Sequence, residues 1–170
     1  MKAKTLQDLF IHSLSDIYSA EKQLTKALPL MSRSASDEKL KEIYNSHLEE
    51  TQHQIERIDQ VVEAAGLRLK RIKCAAMEGL VEEAREVIDE ISGGPVLDAA
   101  LIGAAQKVEH YEIASYGTLL ALAKQMNQPW LSQVTSLLQE TLEEEKQADQ
   151  KLTAVAEGGI NQAAVETESA

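Results

Sequence analysis

The sequence predicts an all-α protein, a four-helix bundle with one long crossover. Three observations carry this. Apolar residues recur at helical spacing over four stretches of about 25 to 30 residues, while strand-like alternation is absent. The core-forming residues are Leu, Ile, Val and Ala, since 44% of the chain is hydrophobic but only 4% aromatic. The breaks between stretches alternate short, long, short. Their punctuation is Ser34–Asp37, the segment from Leu67 to Gly94, and Asn127-Gln128-Pro129.

The first helix is expected from about Leu6 to Met31, with Pro29 near its end, where a lost amide costs little. Ser36 is a candidate N-cap for a second helix over about Asp37 to Ala65, and Gly66 is a stop signal. The middle connection opens with the basic cluster Arg68, Lys70, Arg71 and Lys73, expected to be a solvated loop. It then carries a shorter helix over Gly79 to Ile91. Ser92-Gly93-Gly94-Pro95 breaks the chain, with Pro95 at a first helical position. The third long helix covers about Val96 to Met126. The fourth opens at Pro129 and ends near Ala156, where Gly158-Gly159 stops it. Short turns joining the first helix to the second and the third to the fourth, with a full-length crossover between the pairs, make the ferritin-like arrangement. Residues 1–157 are assigned to this bundle and 158–170, small and polar, to a flexible C-terminal tail.

With 170 residues and a formal charge of −11, the chain suits one acidic domain. No basic field would draw nucleic acid. No apolar run nears the ~20 residues of a membrane span. The amino-terminal MKAKTLQDLF has no export signal, so the cytoplasm is the expected location. The one cysteine, Cys74, excludes an internal disulfide.

Function is signalled by acids in the wrong place. On the first helix the apolar ladder runs Leu14, Ile17, Glu21, Leu24, Leu28. On the third it runs Leu101, Val108, Glu112, Leu119, Leu122. On the fourth it runs Val134, Leu138, Glu145, Leu152. At roughly 100° per residue each glutamate falls within the apolar stripe. A carboxylate aimed at a core is costly unless protonated, paired or bound to a cation. Several of them on one bundle interior point to a di-metal site, which takes a Glu from each of two helices and Glu-x-x-His from each of the other two.

Glu21 and Glu112 fill the single-Glu positions. The second helix offers a literal Glu50-x-x-His53, but His53 points away from the stripe of Leu40, Ile43, Tyr44, Ile55, Ile58 and Val62. His47 and Thr51 point toward it, and Glu50 sits at its edge, so His47-x-x-Glu50 is the better-phased pair. Which histidine supplies nitrogen stays open. On the fourth helix Glu145 is in phase, with Ala148 where a histidine would be wanted and with Glu144 and Asp149 on its flanks. The candidate ligands are therefore Glu21, His47, Glu50, Glu112 and Glu145, for a divalent metal such as Fe or Mn. Glu109 and His110 face another direction from Glu112 and are read as a separate polar patch. The alternative is a metal-free core in which these glutamates are protonated or paired, with Lys, Arg, Tyr18, Tyr111 or Tyr116.

Four runs carry a resemblance: Leu14-Ser15-Asp16-Ile17-Tyr18-Ser19-Ala20-Glu21-Lys22-Gln23-Leu24, His47-Leu48-Glu49-Glu50-Thr51, Val108 to Gly117, and Thr141-Leu142-Glu143-Glu144-Glu145-Lys146. Together they closely resemble the YciF family of bacterial stress-associated proteins, over about Lys4 to Ala156. The resemblance implies a ferritin-like bundle, a homodimer and a link to stress responses. The wider superfamily, which includes rubrerythrins and ferritins, binds two irons and handles peroxide or oxygen. Against the rubrerythrin-like pattern, Thr51 and Gln54 stand at the Glu and His positions of the second helix. Glu145 and Ala148 stand at those of the fourth. The implied carry-over is Glu21, Glu112 and Glu145, without either histidine. The remaining expectation is a non-catalytic dimeric stress protein with a structural or metal-free acidic core.

Overall fold

The computed structural model describes residues 4–167. Four long helices, α1 (Leu6–Ser34), α2 (Glu38–Ala65), α4 (Pro95–Gln125) and α5 (Leu131–Val155), form the bundle. A shorter α3 (Ala75–Glu90) lies in the crossover. Around the bundle α1 packs on α2, α2 on α5, α5 on α4 and α4 on α1, while α3 covers the α1–α4 side. No described helix is long and apolar enough to cross a membrane.

Local chemistry explains the boundaries. A capping box starts α1: Asp8 N donates to Thr5 Oγ1 at 3.0 Å, and Thr5 N donates back to the Asp8 carboxylate at 3.1 Å. The helix does not end at Met31 but runs through Pro29 to Ser34. One missing helix bond costs about 3 kcal/mol. Burying Leu28 and Met31 around it returns roughly 1.5 to 3 kcal/mol each. The N-cap of α2 is Asp37, not Ser36: its carboxylate accepts from Leu40 N at 3.0 Å. The buried Asp98 of α4 accepts from Ser36 N at 2.7 Å and Asp37 N at 2.9 Å, which pins the α1–α2 turn onto α4. Gly66 ends α2 in the left-handed conformation (φ 61°), with Leu67 N donating to Val62 O at 3.0 Å.

The crossover is stitched along one edge of α1. Lys70 N donates to Ser15 Oγ and Cys74 N to Ser19 Oγ, both at 2.9 Å, and Gln23 Nε2 donates to Cys74 O at 3.0 Å. The three α1 residues are four apart, so they share a face. Arg68, Lys70, Arg71 and Lys73 project outward, as expected of a solvated stretch. Cys74 is buried and caps α3, which therefore begins four residues before the predicted Gly79.

Two differences lie after α4. Pro129 sits in the turn rather than opening α5, and Trp130 stacks on Phe10 at the bundle's end with centroids 6.1 Å apart. The stretch expected to trail away after Ala156 is helical: a π-turn over Ala156–Ile160 leads into α6 (Asn161–Thr167), which packs on α4. Gly159 takes φ 151°, a backbone open to glycine, so the Gly-Gly pair bends the chain instead of ending it. Ile160 is buried at the bend.

Candidate metal centre

The interior acids converge. Glu21 of α1, Glu112 of α4 and Glu145 of α5 are fully buried, and His47 of α2 is 4% exposed. A fifth member is Glu109 of α4, 2% exposed. Ligand atoms of His47, Glu109, Glu112 and Glu145 all lie within 4.8 Å of one another. His47 Nε2 is 3.2 Å from Glu109 Oε1 and 3.9 Å from Glu145 Oε2. Glu21 stands beside Glu112, and the Tyr116 hydroxyl donates to its Oε1.

Of the candidates from sequence, Glu21, His47, Glu112 and Glu145 are brought together. Glu50 is not among the clustered atoms. It lies at the rim, where Oε2 is 3.4 Å from His47 Nδ1 and Oε1 accepts from Lys151 Nζ at 3.2 Å. Its place at the stripe's edge lets it reach the outer nitrogen of His47 but not the interior. His53 is exposed.

Glu144 is engaged elsewhere. Arg57 donates to both its oxygens at 2.6 Å, and Gln54 Nε2 adds a bond at 3.1 Å, which clamps α2 to α5. Asp149 accepts from Gln106 Nε2 at 3.2 Å and is not among the clustered ligand atoms, though its charge helps raise Glu109. His110 is exposed, so the patch expected from Glu109 and His110 is split between core and surface. Sequence periodicity missed Glu109 because α4 is covered by α1, α3, α5 and α6. Its buried arc therefore spans Glu109 as well as Glu112. The available signal was Ala104, Ala105, Val108 and Leu120 widening the apolar stripe.

The electrostatics are those of crowded acids out of water. Burial, then the Glu145 charge, pushes Glu21 up to about 8, against the pull of the Tyr116 hydroxyl. Burial likewise pushes Glu109 up to about 8. Burial, then the Glu145 and Glu21 charges, holds Glu112 well above the ordinary carboxyl range, and burial holds Glu145 there too, against the pull of His47 and with a smaller push from Glu109. Burial alone would lower His47, but Glu50, Glu145 and Glu21 outweigh it and raise it. The His47 contact lowers Glu50.

The decisive observation is what these atoms lack. Buried polar atoms are hydrogen-bonded in the great majority of cases. Among the described residues, ten buried side-chain atoms have no hydrogen-bond partner, and seven belong to this cluster: Glu21 Oε2, His47 Nε2, Glu109 Oε2, and both oxygens of Glu112 and of Glu145. No hydrogen bond of ordinary geometry reaches these atoms; the donors nearest Glu145 are Gln54 and His47, and the His47 Nε2 stays 3.9 Å away. Only a proton between Glu21 and Glu112, or between Glu109 and Glu145, or a cation, would join them. The donors are carboxylate oxygens and one imidazole nitrogen, a set suited to hard or borderline divalent metals. His47 also has the outer partner typical of a ligating histidine, a carboxylate on its other nitrogen. This buried His/Glu group could hold a metal ion.

Comparison with known proteins accords with the fold. The family model described as a domain of unknown function, DUF892, matches residues 5–165. The chain belongs to this family. Protein YciF of Escherichia coli (strain K12) is 59% identical over 165 residues, covering 96% of this chain and 98% of YciF. The resemblance seen in the sequence runs is thus borne out over nearly the full length. The crystal structure of the E. coli stress protein YciF superposes with TM-score 0.89, covering 94% of this chain and 99% of that one. The Rhodopseudomonas palustris protein YcfI is 47% identical, with TM-score 0.84, and covers 88% of this chain and 94% of its own. A Xanthomonas campestris protein, 21% identical with TM-score 0.76, shares the fold over 98% of this chain and all of its own. The DUF892 chain is therefore a ferritin-like all-α bundle related to a bacterial stress protein.

Proposed function

We propose that this chain is a stress-linked metalloprotein that holds divalent iron or manganese, two ions per bundle, between Glu21, His47, Glu109, Glu112 and Glu145. The observation that carries the reading is the set of seven partnerless buried atoms converging from four helices. Leaving that many acceptors dry and unpaired would cost far more than a fold of ordinary stability tolerates.

When bound, such a metal pair supplies electron exchange with peroxide or oxygen. The chain's own residues do the rest. Glu109 and Glu112, three apart on α4, present two carboxyls from one face. Glu50 holds the outer nitrogen of His47 and thereby leaves Nε2 for the interior. Tyr116 fixes one oxygen of Glu21 and leaves the other free. The Arg57–Glu144 clamp ties α2 to α5 beside the site. One histidine in place of two makes the donor set richer in oxygen than the Glu-x-x-His pattern, which favours manganese or iron over softer metals.

A second reading rests on the raised carboxyl pKa values. With Glu21 and Glu109 pushed up to about 8 and Glu112 and Glu145 held well above the ordinary carboxyl range, one acid of each pair, Glu21–Glu112 and Glu109–Glu145, can keep its proton at pH 7, and the core can be structural and metal-free. The two readings separate by proton release. Metal ligation requires deprotonated carboxyls. Titrating Mn²⁺ into the protein by calorimetry at pH 7, in buffers of different ionisation enthalpy, should show about two protons leaving the protein per chain. Heat without buffer dependence would contradict a carboxyl-bound site, and no heat at all with no uptake would favour the metal-free core. The proposal extends to a cytoplasmic location and to a homodimer, the latter implied by the YciF resemblance, and sedimentation at several concentrations tests the assembly.

A further inference from the structure

A pocket of about 290 Å³ opens between α2 and α5. Its two buried lining residues, His47 and Ala148, form the floor, and Glu42, Ser46, Glu50 and Lys151 stand around the rim. Three other pockets, lined around Asp98 and Gly159, around His12 and Tyr111, and around Ser92 and Val96, contain no member of the buried cluster.

We propose that this pocket is the port through which a hydrated divalent cation reaches the cluster, with Glu42 and Glu50 as staging ligands at its mouth. The inference rests on the metal-binding reading and adds a site to it. His47 connects the two: it lines the pocket, while its partnerless Nε2 lies 3.2 Å from Glu109 and 3.9 Å from Glu145. The pocket is large enough to hold a hydrated ion at its mouth, since six waters at roughly 30 Å³ each occupy less than this volume.

Ala148 explains why the opening exists. It stands three residues after Glu145, one turn along the same face, where the Glu-x-x-His pattern would place an imidazole. A methyl group there leaves the floor low.

The rim is balanced, Glu42 and Glu50 against Lys39 and Lys151, and the acids beneath His47 are what favour a cation as the occupant. Glu50 at the rim is already paired with a cation, the Lys151 ammonium, at 3.2 Å. An incoming metal ion would exchange with that ammonium, so no bare charge is exposed at the mouth. Lys39 also lines the rim. The overall charge of −11 favours approach of cations from solution.

The test compares uptake rate with equilibrium binding in the full chain, using Mn²⁺ alone released from a fluorescent chelator in stopped flow. Ser46→Tyr places a ring over the exposed rim. It should slow uptake about tenfold or more while leaving stoichiometry and affinity unchanged. Ala148→Leu should act likewise from the floor, and Lys151→Gln should speed uptake. Gln139→Tyr, exposed on α5 outside the pocket, should change nothing. Unchanged rates in both plugged variants, with normal binding, would overturn the port alone. No Mn²⁺ binding by the unaltered chain would overturn the metal reading and the port together.

Discussion

Raising the pH should destabilise the metal-free protein, opposite to the behaviour of a protein held by ionised salt bridges. The perturbation is a shift from pH 5.5 to 7.5 in the presence of a chelator. An exposed carboxyl of the unfolded chain ionises near 4.5, whereas in the fold Glu21 and Glu109 are pushed up to about 8, and Glu112 and Glu145 are also held well above the ordinary range. Between those limits the folded state binds more protons than the unfolded state, so stability falls as pH rises. Counting one extra proton for each of the pairs Glu21–Glu112 and Glu109–Glu145, the slope is about 2.7 kcal/mol per pH unit.

Two units then remove about 5 kcal/mol, against a typical total of roughly 5 to 15 kcal/mol. His47 adds in the same direction: its pKa is raised, so its contribution is present at low pH and lost as pH rises through the folded value. Glu50 is lowered, so its stabilisation is lost only on acidification below the ordinary carboxyl range, outside this window. Urea melts followed by circular dichroism at pH 5.5, 6.5 and 7.5 measure the slope. Stability that is flat or rises with pH would refute the account of a protonated core. Saturating Mn²⁺ should reverse the trend, because ligation is favoured as protons leave.

Other outcomes follow from the same geometry. Glu112→Gln keeps the shape, removes one buried acid and supplies an amide donor; it should abolish metal uptake yet raise the melting temperature of the metal-free protein at pH 7.5. His47→Ala should weaken metal binding by about 10- to 100-fold, the range lost when a site's orienting shell is disturbed, or more, whereas His53→Ala, altering an exposed side chain, should not. Asp98→Asn removes one of two charged acceptors for Ser36 N and Asp37 N and should cost about 1 to 3 kcal/mol by denaturant unfolding, with metal binding intact.

Much of the architecture was visible in the chain because helical periodicity and stop signals are local. Gly66 and Pro95 act where their backbone preferences say they should. Glu21, Glu112 and Glu145 stood out because each interrupts a narrow apolar ladder, and phase alone separated the buried His47 from the exposed His53. Non-local packing hid the rest. Only the widened stripe of Ala104, Ala105, Val108 and Leu120 hints that α4 is covered on several sides, and it does not say by which helices. Nothing around Gly158-Gly159 shows that a bend there lets Ile160 dock and α6 continue. Glu50 was placed among the ligands by its spacing from His47, yet that spacing suits an outer partner equally well. The tie to Lys151 on α5, a contact between helices, decides its place at the rim.

The most direct test of the central claim is metal content at equilibrium. The untagged protein is loaded anaerobically with Fe²⁺ or Mn²⁺, desalted and assayed by elemental analysis beside Glu112→Gln. The account predicts about two equivalents per chain, absent from the variant. Less than about a tenth of an equivalent in the unaltered protein, or equal content in both, would contradict a metal site built on these carboxylates.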